Sequence, residues 1–328
     1  MKKRLYIISP FRLAEYPWNW KVYYCVELFS ALFRKGYIVN WLQPGKNLYN
    51  FSLFPSLSHW RNFFVINIGN SLTYRWLMPF FLSRLKRVSK DIKPFTLIEI
   101  IDGNPFELDI DEAFVNIPII FSLRNKWIAS NDFPGPVIIP QKETLKDLIY
   151  KGVPEKYLNY IPMGVCSNVN EITNTEKQIQ KRILILDKDR QRHLKSLAEQ
   201  IEKEKPHYDI LYIGNKDLNT IPAEEFHDWI QKIIDGREII AVLSKNLYHI
   251  GMEFISKGAK VFVPALDLPF EGDNENLFFY DTPMDIPNRI YTLLKQKPTF
   301  SHNNKTLFST WEEGSIQLEK LLTELINE

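Results

Sequence analysis

The sequence predicts an α/β chain of two doubly wound domains, each a parallel sheet covered by helices on both faces. Three observations point there. Short apolar segments alternate with amphipathic ones along nearly the whole length, which is the pattern of repeated strand–helix–strand units. The chain has 328 residues, 45% of them hydrophobic, which supplies two cores in domains of about 150 residues each. Just short of the middle, Pro162-Met163-Gly164 joins a residue that fixes one backbone torsion to one that frees another. Such a triplet is a natural place for a chain to leave one sheet and enter the next.

Taken in order, residues 4–9 read as a buried strand and 10–17 as the loop at its C-terminal end. Residues 19–35 form a helix with Val22, Val26, Phe29 and Phe33 on one face, stopped by Gly36, and 37–42 form the second strand. Strand, loop, helix and strand of these lengths make a βαβ unit. Residues 45–62 show no period and read as loop, and 63–67 as a third strand. Helix 71–90 mixes aromatic residues (Tyr74, Trp76, Phe80, Phe81) with basic ones (Arg75, Arg84, Lys86, Arg87, Lys90). Strands follow at 95–101 and 117–122. The stretch VIIPQKETLKDLIYKGVPEKYLNYIPMGV then gives a short strand, a helix carrying Leu145, Leu148 and Ile149, a stop at Gly152, and a second short strand at 157–161. In the second half the strands are 182–187, 208–214, 238–244 and 259–263, with helices between. Residues 310–327, with Trp311, Ile316, Leu318, Leu321, Leu322 and Leu325, form an amphipathic closing helix.

Bulk chemistry narrows the function classes. With 41 basic and 39 acidic residues the net charge is +2, so no global field marks a nucleic-acid binder. Two cysteines, Cys25 and Cys166, are too few for a disulfide framework or a cysteine metal site, and a reducing cytosol is the simplest home. The N-terminal apolar run is broken by Pro10 and is too short for a signal peptide or membrane span. No P-loop, zinc spacing, GxSxG or GxGxxG is present, so kinase, zinc-hydrolase, serine-hydrolase and nicotinamide-dehydrogenase readings lack their machinery. Asp109-Ile110-Asp111 is a DxD pattern, read here as a solvated loop with no metal inferred.

The segment GVPEKYLNYIPMGV resembles the end of the N-terminal domain in GT-B glycosyltransferases, with Met163 where that family has Asn and Cys166 where it often has Asp. The stretch YHIGMEFISKGAKV is similar to the family segment whose glutamate binds the donor ribose and whose backbone amides meet the diphosphate. On that resemblance Glu253 is the ribose ligand, with Gly251 and His249 beside the phosphates; a helix-start carboxylate and a surface histidine are the competing readings. Lys245 stands where many relatives have an earlier glutamate. A subset related to teichuronic-acid and xanthan-type transferases lacks that glutamate, and PWNWKVYYCVELFSALFRKGYIVNWLQP is similar to the openings of that subset. Trp18, Asn19 and Trp20 replace the usual Gly-Gly loop and are candidates for the acceptor side. After the first strand of the second half, Lys188, Arg190 and Arg192 are candidate diphosphate cations, set against a solvated charge run. TLIEIIDGNPFELD resembles a strand that ends in an aspartate at the cleft, which makes Asp102 the candidate acceptor-side base. Arg124 and Asn125 occupy the turn where relatives often carry a catalytic His or Asp, and Arg124 joins the acceptor-side candidates.

The expectation is therefore a GT-B protein with two Rossmann-like domains facing a cleft. Residues 1–165 are the acceptor-side domain, 166–305 the donor-side domain, and 306–328 a helix packing back toward the first. The resemblance implies transfer of a sugar from a nucleotide-sugar donor to a glycan or lipid-linked acceptor, in cell-surface polysaccharide synthesis, without a metal or separate cofactor. A cytoplasmic protein peripheral to the inner membrane face fits the aromatic and basic helix 71–90. The alternatives are a non-catalytic scaffold of the same fold that binds a glycan or partner transferase, and a sugar-nucleotide epimerase.

Overall fold

The computed structural model describes residues 4–45, 51–53, 63–70, 73–88, 95–103, 114–123, 135–166, 180–189, 192–206, 208–218, 220–221, 225–265, 275–295 and 309–327. The chain divides into two compact units, Met1–Gly164 with Trp311–Glu328, and Val165–Thr310.

The first unit begins with β1 (Arg4–Ile8), helix α1 (Trp20–Arg34) and β2 (Ile38–Gln43). It continues through β3 (Phe51–Leu53), β4 (Phe63–Asn67), α2 (Tyr74–Val88), β5 (Phe95–Gly103), β6 (Phe114–Asn116) and β7 (Ile119–Leu123). It closes with β8 (Val137–Ile139), α3 (Lys142–Tyr150), β9 (Leu158–Tyr160) and, far along the chain, the terminal helix, called α9 below (Trp311–Asn327). Its sheet runs in the order β3-β4-β2-β1-β5-β7-β8-β9, with β6 paired to β5. All pairings are parallel except β3 with β4. The stretch expected as loop at 45–62 thus contains a short strand. Three residues are too few to show a period.

Helix α1 departs from the single apolar face expected of it. Every residue from Val22 to Ser30 is buried, because α1 packs against α9 as well as against the sheet. Trp311 of α9, 1% exposed, meets the rings of Tyr23 and Tyr24 edge-on at 5.9 and 5.8 Å. Gly314 permits the approach: a Cβ there would stand 3.3 Å from Ile161 and 3.4 Å from Leu28. Within α9 the expected apolar set divides, with Leu318, Leu321 and Leu322 buried and Ile316 exposed.

The second unit carries β10 (Gln180–Asp187), α4 (Arg192–Glu204), β11 (Asp209–Gly214), α5 (Asn215–Leu218), α6 (Phe226–Ile234) and β12 (Arg237–Leu243). Helix α7 (Tyr248–Ser256), β13 (Lys260–Pro264), β14 (Leu277–Tyr280) and α8 (Ile286–Lys295) complete it. The sheet is wholly parallel in the order β11-β10-β12-β13-β14. Its central strands are apolar on both faces, and Ile183–Leu186 and Ile239–Leu243 are fully or almost fully buried. That pattern is expected of a sheet covered by helices on both sides. Strand order reverses between β10 and β12, so the crevice outside their carboxyl ends is where such folds bind ligands.

Candidate functional site

In the first unit the chemistry gathers at the carboxyl ends of β1, β5 and β7. Asn19 caps α1, its side-chain oxygen accepting the Lys21 N–H at 3.1 Å while its amide donates to Glu15 at 2.6 Å. This cap sets where the helix starts. Trp20 and Tyr24, one turn apart on α1, close edge-on upon Phe121 at 5.0 and 5.7 Å. Phe121 is itself displaced: Ile101 pairs with Ile120 but Asp102 pairs with Ser122, so β7 carries one extra residue at that point. At the shifted position the Thr144 hydroxyl of α3 donates to the Phe121 carbonyl at 3.1 Å. Bulges of this kind re-aim side chains at the ends of strands.

The result is a constellation around Asp102. Lys21 Nζ donates to its Oδ2 at 2.5 Å, and Ser122 Oγ donates to its Oδ1 at 2.7 Å. Both members of the ion pair have side chains 23% exposed, so they are fixed yet reachable. The Lys21 ammonium also lies 5.6 Å from the centre of the Phe11 ring and 5.7 Å from that of Trp20, within the range of cation–π attraction. Gly103 follows with φ +95°, a backbone conformation that favours glycine. Of the four residues expected on the acceptor side, Trp20 stands at this cluster, Asn19 is engaged as the helix cap, Trp18 is buried, and Arg124 lies outside the described residues. Lys21 and Ser122 escape sequence reasoning because they lie 81 and 20 positions from Asp102.

In the second unit the carboxyl ends of β10 and β12 are tied together. Ser244 N–H donates to the Leu186 carbonyl and Lys188 N–H to Ser244 Oγ, each at 2.9 Å. Asp187, fully buried at the end of β10, accepts the Tyr212 hydroxyl at 2.9 Å. Burial first, and the bond to Asp187 second, push the Tyr212 phenol up to about 12. The chain then turns through Asn246 at φ +64° into α7.

Helix α7 differs from the competing readings of its residues. His249 is fully buried, not a surface histidine, and Glu253 is the sixth residue of the helix, not a first-turn carboxylate. Glu253 is also fully buried, and its two oxygens share the backbone N–H of Cys166 at 3.2 and 3.3 Å. Gly251 lies where α7 crosses the sheet: a Cβ would stand 2.9 Å from Leu243 and 3.1 Å from Val261. Arg192 opens α4. Arg124, Asn125, Arg190 and Asp109-Ile110-Asp111 lie outside the described residues.

Two parallel-sheet units of this topology define the GT-B glycosyltransferase fold, and comparison with solved structures bears this out. The chain is similar to the apo form of WaaB, a lipopolysaccharide outer core galactosyltransferase (TM-score 0.54, 11% identity, 98% of this chain and 99% of that one). It is also similar to the glycotransferase of kitacinnamycin (TM-score 0.52, 11% identity, 99% and 100%). A third likeness is to the catalytic domain of starch synthase IV from Arabidopsis thaliana bound to ADP and acarbose (TM-score 0.52, 10% identity, 100% and 100%). At these identities the likeness is one of fold. No family model matches the sequence, and no curated protein matches it.

Proposed function

We propose that this protein is a glycosyltransferase that moves a sugar from a nucleotide-sugar donor to a glycan or lipid-linked acceptor of a cell-surface polysaccharide. The observation that carries the proposal is Asp102, set by a bulge at the carboxyl edge of a parallel sheet and held by Lys21 and Ser122. In this reading Asp102 accepts the proton of the acceptor hydroxyl, and the second unit binds the donor, with amides at the start of α7 meeting the diphosphate. Lys188, Arg190 and Arg192 supply candidate cations for the same charge. Glu253 takes the ribose once its carboxylate releases the Cys166 N–H. The nucleotide sugar is the substrate, and the proposal calls for no metal and no separate cofactor.

Helix α2 supports a place at a membrane. Tyr74, Met78 and Leu82 turn inward, while Trp76 and Phe80 stand 79% and 69% exposed beside exposed Arg75 and Arg84. Aromatic residues flanked by cations suit the interface of an anionic bilayer. Among the described residues no helix is long and apolar enough to cross a membrane.

A second reading, a glycan-binding scaffold without transferase activity, draws support from α7, where the expected donor ligands His249 and Glu253 are buried and Glu253 is bonded to main chain. A thermal-shift panel of UDP-, GDP-, dTDP- and CMP-sugars separates the two, since a ligand that binds the native state raises the melting point. Stabilisation by one nucleotide class supports the transferase; no response to any supports the scaffold.

A further inference from the structure

We infer that the Lys21–Asp102 pair, with Ser122, forms a subsite for an uncharged sugar ring and turns away rings that carry a phosphate or carboxylate there. The inference rests on the acceptor-side reading above and names the chemical class of that acceptor. Among the described residues of the cluster, one ammonium faces one carboxylate, and the remaining members, Ser122, Phe11 and Trp20, are neutral. An ammonium has three N–H donors, one of them given to Asp102; a carboxylate has about four lone-pair sites, two of them taken by Lys21 and Ser122. The described members of the cluster therefore offer donors and acceptors side by side with no net charge among them.

A sugar hydroxyl is both donor and acceptor, so it can give its proton to Asp102 and receive one from Lys21 without breaking the pair. An anion can use only the ammonium. To reach it fully the anion must draw Lys21 from Asp102, which sets two negative groups beside each other at a half-buried position. The rings of Phe11 and Trp20, 5.6 and 5.7 Å from the ammonium, add cation–π attraction to the place it holds beside Asp102.

Saturation-transfer NMR and calorimetry on the full chain test this, with methyl hexosides as uncharged probes and glucose 1-phosphate and glucuronic acid as anionic ones. Wild type is expected to bind at least one methyl hexoside at least tenfold more tightly than either anion. Asp102→Asn, which frees the ammonium, is expected to reverse that order in favour of glucose 1-phosphate, and Lys21→Met to lose the hexoside at least tenfold while circular dichroism shows an intact fold. Tighter binding of the anions by wild type overturns the inference, as does an unchanged order in Asp102→Asn. The nucleotide-sugar panel separates this failure from that of the wider reading. Hexoside binding without any nucleotide response keeps the subsite and removes the transferase; a nucleotide response without any hexoside binding removes the subsite alone.

Discussion

The Thr144 hydroxyl donates to the carbonyl of Phe121, the residue at which the register of β7 against β5 shifts. Thr144→Val keeps the side-chain shape and removes the donor. Stability should fall by about 0.5–1.5 kcal/mol, and turnover should fall further than donor affinity, because the register of Ser122 against Asp102 loosens. Chemical denaturation and steady-state kinetics on the same variant check both parts.

Asp102→Asn should cut kcat by roughly 100-fold or more, the scale of a lost general base, and leave the donor dissociation constant unchanged. Single-turnover measurements with the donor found by thermal shift make the comparison. Unchanged turnover retires the catalytic role and leaves Asp102 as the structural partner of Lys21 and Ser122.

Glu253→Gln bears on the donor side and on folding together. A buried carboxylate that accepts a main-chain N–H contributes about 1.5–3 kcal/mol through a charge-assisted bond. The melting point should therefore drop, unlike that of a variant at an exposed helix start. If the residue also binds ribose, calorimetry should show donor affinity at least tenfold weaker, which is about 1.4 kcal/mol. A lower melting point with full donor affinity makes Glu253 a structural residue.

Gly251→Ala sets two effects against each other. The new methyl group gains about 1 kcal/mol of helix propensity. It also enters a gap of 2.9 Å to buried Leu243 and 3.1 Å to buried Val261, where overpacking costs about 1–3 kcal/mol. The expected outcome is a net loss near 1 kcal/mol in thermal or denaturant melts. A gain would show that α7 moves off the sheet at little cost.

Replacing both Trp76 and Phe80 with Ser, or both Arg75 and Arg84 with Glu, should weaken binding to anionic vesicles by about tenfold or more, since each basic residue near such a surface contributes about 1 kcal/mol. Co-sedimentation with phosphatidylserine and phosphatidylcholine vesicles gives the readout. Equal binding of the wild type to both lipids sinks the membrane role.

Tyr212 has its phenol pushed up to about 12, above its ordinary value near 10. Its contribution to stability is full below pH 10 and is lost as pH rises toward 12, because the unfolded phenol ionises first. Tyr212→Phe should flatten the fall in unfolding free energy between pH 10 and 11.5 in urea melts. An identical slope would mean that burial and the bond to Asp187 do not hold the phenol above its ordinary value in solution.

Much of the strand–helix alternation was legible because each segment carries its own local pattern. Apolar runs mark β1, β10 and β12, and Gly36 and Gly152, both at positive φ, follow helices where the sequence places the stops. The strands that escaped are β3, β6 and β14, three or four residues long and set at sheet edges or off the main path. The position of Asp102 at the end of β5 was legible from an apolar run stopping before Gly103. Its partners were not, since no periodicity reports a contact across 81 positions or a register shift at Phe121. Glu253 shows the same limit: a helix pattern places it on α7 but cannot show the N–H of Cys166, 87 positions earlier, waiting for its carboxylate.

The interleaving of the two units has a consequence in time. The first unit is interrupted after Gly164 and resumes only at Trp311, whose ring closes on Tyr23 and Tyr24. On the ribosome the chain therefore synthesises all of the second unit before the residues that finish the first have been made. Residues 165–310 can reach their native pairing, including the bridge between Val165 and Thr310, while α1 still lacks its cover. The half of the protein that starts first is the half that finishes last, and until it does, the apolar flank of α1 is open to chaperones or to a neighbouring nascent chain.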